Sequence, residues 1–137
     1  MGVAPVRVYL DSCVIIYLVE EHATFAPLLE GYLQNRSEMA LACSALSELE
    51  CLVMPLRNGN KPLIDKFHSW FAQSESLPID REVFHRAARL RARHSRLKTP
   101  DAIHLAAALH HGCEEFWTND DRLNVIAPQV VRNVLAP

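Results

Sequence analysis

The stretch Val6-Arg7-Val8-Tyr9-Leu10-Asp11-Ser12-Cys13-Val14-Ile15-Ile16 decides how the rest of the chain is read. It opens as an apolar run rich in β-branched and aromatic residues, the composition of a strand buried on both faces in the middle of a parallel sheet. The run stops at a carboxylate, Asp11, and a second apolar run, Val14 to Val19, follows at once. In an open α/β sheet, ligands bind just beyond the carboxyl ends of the strands. An Asp at that point reads either as a site residue or as the cap of the next turn. The choice depends on whether the chain brings further carboxylates to the same edge.

Working outward, apolar runs and helical periodicities alternate. An apolar helical pattern runs to about Val19, and Phe25, Leu28, Leu29, Tyr32 and Leu33 predict a second helix to about Asn35. Met39 to Cys43 reads as a second strand. Ser44 is placed to cap a helix whose apolar side would be Leu46, Leu49, Leu52, Val53 and Leu56, stopping at Arg57-Asn58-Gly59-Asn60. Pro62 suits the first turn of a helix with Leu63, Ile64, Phe67, Trp70 and Phe71 inward. Leu77 to Ile79 reads as a third strand, and Asp80 as the cap of a basic helix burying Val83, Phe84, Ala87, Ala88 and Leu90. Thr99 suits an N-cap with Pro100 as the first helical residue, and that helix closes at His110-His111-Gly112. Glu115 to Thr118 reads as a fourth strand, Leu123 to Ile126 as one helical turn, and Val130 to Val134 as a last strand. The alternation predicts an α/β fold with a mostly parallel sheet, and the length predicts one domain over 1–137.

The charge balance narrows the function classes. The formal net charge is −2, with 22% charged and 50% hydrophobic residues, so the chain as a whole is no bulk polyanion binder. The charge is segregated, however. Arg81 to Lys98 carries seven basic residues against the single acid Glu82, a local balance near +6 against near −8 elsewhere. Such a surface attracts a polyanion despite the negative total. Arg86, Arg89, Arg93 and Arg96 recur at three-and-four spacing and can share one stripe leading through Lys98 toward Asp101, a candidate RNA-binding surface. The four cysteines form no CxxC pair and read as small buried hydrophobes in a reducing compartment. With no apolar run near the roughly 20 residues of a membrane span and no signal-peptide pattern, the expectation is a cytoplasmic protein with no membrane partner.

Four acids fall at element ends on this map. Asp11 ends the first strand, Glu48 lies one turn into the helix after the second, Asp101 opens the helix after Thr99-Pro100, and Asp120 ends the fourth strand. Singly, each also reads as a cap, a turn residue or a solvated acid. Gathered on one edge, partly buried carboxylates about 4 Å apart would repel by on the order of 4 kcal/mol per pair. A divalent cation relieves that repulsion, and an all-oxygen carboxylate set suits magnesium or manganese and not zinc. Such ions activate water and clamp a phosphodiester for in-line attack.

Four motifs now carry a resemblance: Tyr9-Leu10-Asp11-Ser12, Ser44-Ala45-Leu46-Ser47-Glu48-Leu49, Thr99-Pro100-Asp101-Ala102-Ile103-His104-Leu105-Ala106, and Trp117-Thr118-Asn119-Asp120-Asp121-Arg122-Leu123. In order and spacing the chain resembles the PIN domain, most closely the VapC-like ribonuclease toxins of toxin–antitoxin pairs. The resemblance implies a three-layer sandwich, about five mostly parallel strands flanked by helices, with the first strand central. It implies that Asp11, Glu48, Asp101 and Asp120 form an acidic pocket for Mg2+ or Mn2+, with Ser12 and Thr118 in support through their hydroxyls. Asp121 is an additional acid beside Asp120. It further implies RNA hydrolysis, a cognate antitoxin, and homodimerisation as an option.

A phosphohydrolase would want a second acid two residues after Asp11, where Cys13 stands, and the acidic pair and Lys arrangement of a receiver domain are not found. An inert acidic binding module and a PIN-type RNA-processing nuclease without a toxin role stay open. The seven histidines and both tryptophans, Trp70 and Trp117, read as structural.

Overall fold

The computed structural model describes residues 5–34 and 38–135. Its elements in chain order are β1 (Val6–Leu10), α1 (Ser12–Val19), α2 (Phe25–Gln34), β2 (Met39–Cys43), α3 (Ala45–Arg57), α4 (Lys61–Gln73), β3 (Glu75–Ser76), α5 (Arg81–Arg93), α6 (Thr99–His110), β4 (Glu115–Thr118), α7 (Asp121–Ile126) and β5 (Val131–Asn133). The expected end of the second helix at Asn35 lies outside the described residues. The strands form one sheet in the order β3-β2-β1-β4-β5, and all four pairings are parallel.

β1 is central because its residues are apolar to both sides. Val8 and Leu10 join one core with Val14, Ile15, Leu29, Phe67 and Trp117. Tyr9 joins the opposite core with Leu105, Phe116 and the alanines of α6. β4 repeats the alternation, Phe116 to one side and Trp117 to the other, as the two-residue period of a strand requires. Helices cover both faces, giving a three-layer α/β sandwich. In a parallel sheet all carboxyl ends lie on one edge, so the residues following β1 and β4 are neighbours. The backbone N–H of Asp11 donates to the carbonyl of Trp117 at 2.9 Å, tying those two ends together.

Local signals explain the boundaries. The Asp80 side chain accepts from Val83 N–H at 3.2 Å and starts α5. Gly59 takes φ +62° in the turn that separates α3 from α4, a conformation that favours glycine. Asn60 then caps α4 by accepting from Leu63 N–H.

The structure departs from the expectations at four places. The third strand is Glu75–Ser76 and not Leu77 to Ile79; Leu77 adds one N–H bond to Cys43 O at 2.8 Å and then leaves the sheet for the core. Lys98 is the N-cap of α6, which puts Thr99 at the first helical position. In α5, Phe84 is 50% exposed and Ala88 exposed, so the buried stripe is Val83 and Ala87. The largest departure is in α3. Its buried side is Ser47, Cys51 and Pro55, while Leu49 and Leu56 are each 60% exposed. Small side chains let α3 sit close to α1, where Cys51 reaches the carbonyl of Ser12. Leu49 and Leu56 face out, while Leu52 packs against the core from its edge.

This assignment of faces is testable by denaturant unfolding. Phe67→Ala, at a fully buried position, should cost about 3–5 kcal/mol. Leu49→Ala should stay within about 0.5 kcal/mol; a cost comparable to that at Phe67 would contradict the orientation of α3.

Candidate active site

The carboxyl edge of β1 and β4 collects the acids. Asp11 follows β1 and is the N-cap of α1, its Oδ1 accepting from Ser12 N–H at 2.9 Å. Its Oδ2 accepts from the Thr118 hydroxyl at 2.8 Å. Thr118 is fully buried at the end of β4, and its oxygen accepts in turn from Asp120 N–H at 3.2 Å. One hydroxyl therefore ties the acid after β1 to the acid after β4. Asp101 sits in the first turn of α6.

Electrostatics place these groups together. Burial pushes the Asp11 carboxyl above its ordinary range, and the Glu50 charge adds to it, against the opposing pull of His104, Thr118 and Ser12 N–H. Burial likewise raises Asp101, and the charges of Asp11 and Asp120 raise it further. Asp120 goes the other way: Arg122 grips it through Nε at 2.9 Å and Nη2 at 2.7 Å and holds it below the usual carboxylate range, against a modest desolvation. Asp11, Asp101 and Asp120 thus share one site.

On α3 it is Glu50, not the expected Glu48, that bonds to residues beside Asp11. Glu50 Oε1 accepts from the Ser12 hydroxyl at 2.6 Å and pairs with His104 Nε2 at 2.5 Å, and its charge is felt by both Asp11 and Asp101. Burial opposes its ionisation, but the bonds from His104 and Ser12 outweigh that and keep it below its ordinary range. Glu48 is felt by Cys43 instead. Residues two apart on a helix project to opposite sides, so only one of the pair can face the site. Ser47 and Cys51, the small buried residues of α3, flank Glu48 and Glu50 alike, so the bonds to Ser12 and His104 are what single out Glu50.

The remaining candidates divide. Ser12 reaches Glu50 with its hydroxyl and Asp11 with its N–H. Asp121 turns toward β5, where Asn133 Nδ2 donates to it at 2.8 Å. Lys98, next to Asp101, exerts its charge on Asp120. Arg93 and Arg96 line a cavity of about 430 Å³ between the end of α5 and α7, which Asp101, Asp120 and Arg122 also border. Its lining does not include Arg86 or Arg89, further back on α5. His104, which sequence reading treated as structural, contacts a site carboxylate directly. The Cys13 thiol beside Asp11 is pushed up to about 12 by burial and by that charge, so it is no thiolate nucleophile at neutral pH.

All four acids offer oxygen; Asp11 is raised by burial and the Glu50 charge, and Asp101 by burial and the charges of Asp11 and Asp120, the condition a divalent ion relieves. Among the described residues, no three His, Cys, Asp or Glu side chains stand close enough together to hold a metal ion as placed. Magnesium does not require such a cage, since it keeps several waters and takes one or two carboxylates directly. The residues therefore fit a largely hydrated ion at Asp11 and Asp101.

The raised carboxyls carry a sign. A group whose folded pKa lies above its unfolded value contributes stability below the unfolded pKa and loses it as pH rises through the folded one. Asp11 and Asp101 are such groups, so at neutral pH their ionisation costs stability. In chelator, Asp101→Asn should melt a few degrees above the parent protein at pH 7. The difference should shrink as pH falls into the ordinary carboxylate range. Thermal melts across pH check this; a variant that melts lower at pH 7 would contradict it.

The comparisons with known proteins agree with this architecture. Among curated protein sequences none matches significantly. Among solved structures, the fold is similar to a chain of VapBC2 from Rickettsia felis bound to a promoter DNA fragment, with TM-score 0.73 and 14% identity, covering 92% of this chain and 97% of that one. It is similar to a chain of a toxin–antitoxin complex from Klebsiella pneumoniae, with TM-score 0.70 and 22% identity over 91% and 96%. FitAcB from Neisseria gonorrhoeae gives TM-score 0.60 and 18% identity over 95% and 99%. The PIN domain family model matches residues 8–128, a span that includes Asp11, Glu50, Asp101 and Asp120; this chain belongs to the PIN domain family.

Proposed function

We propose that the protein is a metal-dependent endoribonuclease acting as the toxin of a toxin–antitoxin pair. The observation that carries the reading is the convergence of acids from four separate elements on the carboxyl edge of β1. Two of them, Asp11 and Asp101, are held against burial and the charge of neighbouring acids. That arrangement is costly in the free protein and has a use if a cation is to be held there.

In this reading Asp11, Glu50, Asp101 and Asp120 would hold Mg2+ or Mn2+, directly or through water. The ion, when bound, supplies an activated water and a charge clamp for phosphodiester hydrolysis. The chain's own residues do the rest. Thr118 and Ser12 fix Asp11 in one orientation through the bonds described above. Arg93 and Arg96, on the rim of the adjoining cavity, hold the RNA backbone by phosphate contacts that position without reading sequence. Arg122 keeps Asp120 ionised until substrate arrives.

The toxin role rests on the likeness to chains from toxin–antitoxin complexes and on exposed apolar residues. Leu28 and Tyr32, one turn apart on α2, are about two-fifths exposed, a surface suited to an antitoxin segment. No helix among the described residues is long and apolar enough to cross a membrane.

Two measurements test the nuclease reading. Asp11→Asn should abolish Mg2+-dependent cleavage of single-stranded RNA while leaving the circular dichroism spectrum unchanged; full activity would refute the mechanism. Replacing Arg93 and Arg96 together by Ala should weaken RNA binding and flatten the slope of log K against log salt by about 1.4, the value for two lost phosphate contacts on a single strand. An unchanged slope would remove these arginines from the RNA path.

A further inference from the structure

The chain that ends on Glu50 begins on the far side of the sheet. Tyr9, fully buried in β1, points into the core opposite α1 and stacks on Phe116, ring centroids 5.4 Å apart and 5° from coplanar. Its hydroxyl meets Ser44 Oγ at 2.9 Å, Ser47 Oγ at 3.4 Å and His104 Nδ1 at 2.6 Å. Ser47 Oγ already accepts from Ser44 N–H, so its own proton is free to be given to Tyr9. His104, 1% exposed on α6, meets Glu50 Oε1 through Nε2. Ser12 donates its hydroxyl to the same oxygen. The line Ser47–Tyr9–His104–Glu50–Ser12 therefore joins the start of α3, the central strand, α6, the next turn of α3 and the start of α1.

The hydrogen-bonding capacities fix a direction. A phenol keeps its proton at neutral pH, and Tyr9 is fully buried. A phenol that accepts from a serine and donates to Nδ1 leaves the imidazole proton on Nε2. That proton points at Glu50. Both donors land on Oε1, and Oε2 takes neither bond. A glutamate on a half-exposed helix face otherwise samples several rotamers, and ordering it costs free energy. Here the ordering is done in advance by groups that are themselves locked in the core.

We propose that the buried Tyr9–His104 pair is a positioning device that holds the Glu50 carboxylate with Oε2 presented to the acidic site. His104 and Tyr9 act through Glu50 and touch neither metal nor RNA. This rests on the reading of the site as a metal centre, and it adds to that site a residue of α3 and two supports from β1 and α6. It is the arrangement by which histidines and carboxylates outside the ligand set orient the ligands within it.

Isothermal titration of the metal-free protein with Mn2+, without RNA, tests it. His104→Leu removes the donor at nearly constant volume, whereas His104→Gln can return an N–H near the Nε2 position. His104→Leu should weaken Mn2+ binding about 10- to 100-fold, His104→Gln should recover most of the loss, and Tyr9→Phe should shift affinity in the same direction by less. Wild-type binding with His104→Leu folded and unchanged in affinity overturns the positioning role alone. A wild-type protein that binds no Mn2+ overturns the metal reading and this proposal with it. Should His104→Leu fail to fold, Tyr9→Phe decides together with the imidazole 15N spectrum. A proton on Nε2 and reduced Mn2+ affinity in Tyr9→Phe support the device, and a bare Nε2 or unaltered affinity overturns it.

Discussion

Like-charge crowding at the carboxyl end of β1 is the constraint on which the rest of the structure turns. A parallel sheet delivers the ends of its strands to one edge, and here β1 and β4 each lead into a carboxylate, Asp11 and Asp120, while α3 and α6 carry Glu50 and Asp101. Unit charges about 4 Å apart repel by on the order of 4 kcal/mol even at an effective dielectric of 20. The surrounding residues respond to that cost one acid at a time. Arg122 neutralises Asp120, His104 and Ser12 hold Glu50, and Thr118 with Ser12 N–H satisfies both oxygens of Asp11. Among the described residues Asp101 has no equivalent hydrogen-bond support, and it is raised by burial, Asp11 and Asp120 together. The imbalance that remains is concentrated on Asp11 and Asp101, the pair assigned here to the cation.

The two cores explain how such a site is kept rigid. Val8 and Leu10 anchor β1 to the α1–α4 side, while Tyr9 anchors it to the α5–α6 side. Asp11 is thus the first residue past a strand gripped from both faces. Thr118 has the same position at the end of β4, one strand over. Hydrogen bonds between these two ends replace the water that a free carboxylate would order. A site carried on strand ends and helix starts is more sharply defined than one carried on loops.

Much of the fold could be read before any coordinates. β1, β2 and β4 are short apolar runs with clear stops, and Asp80, Gly59 and Asn60 announce helix boundaries by their chemistry. What was not readable was rotation about a helix axis. In α3, Leu46, Leu49, Leu52, Val53 and Leu56 suggest an apolar side. Close packing on α1 instead demands the small residues Ser47 and Cys51 together with Pro55. Glu48 and Glu50 lie about 100° to either side of that stripe, so periodicity does not choose between them, and the bonds of Glu50 to Ser12 and His104 do. The same ambiguity hid His104: an imidazole in an alanine-rich helix reads as packing until its carboxylate partner, 54 residues earlier, is known. In α5, too, the weight of Phe84 misleads, because Val83 and Ala87 carry the buried stripe.

The central claim is that the crowded carboxylates exist to hold a divalent cation. The most direct test is anomalous diffraction from crystals grown with Mn2+. The account predicts an anomalous peak between Asp11 and Asp101, with water completing the shell and with Glu50, not Glu48, nearest among the α3 acids. Fully occupied water between these carboxylates with no anomalous signal at saturating Mn2+, or a peak coordinated by Glu48, would contradict it.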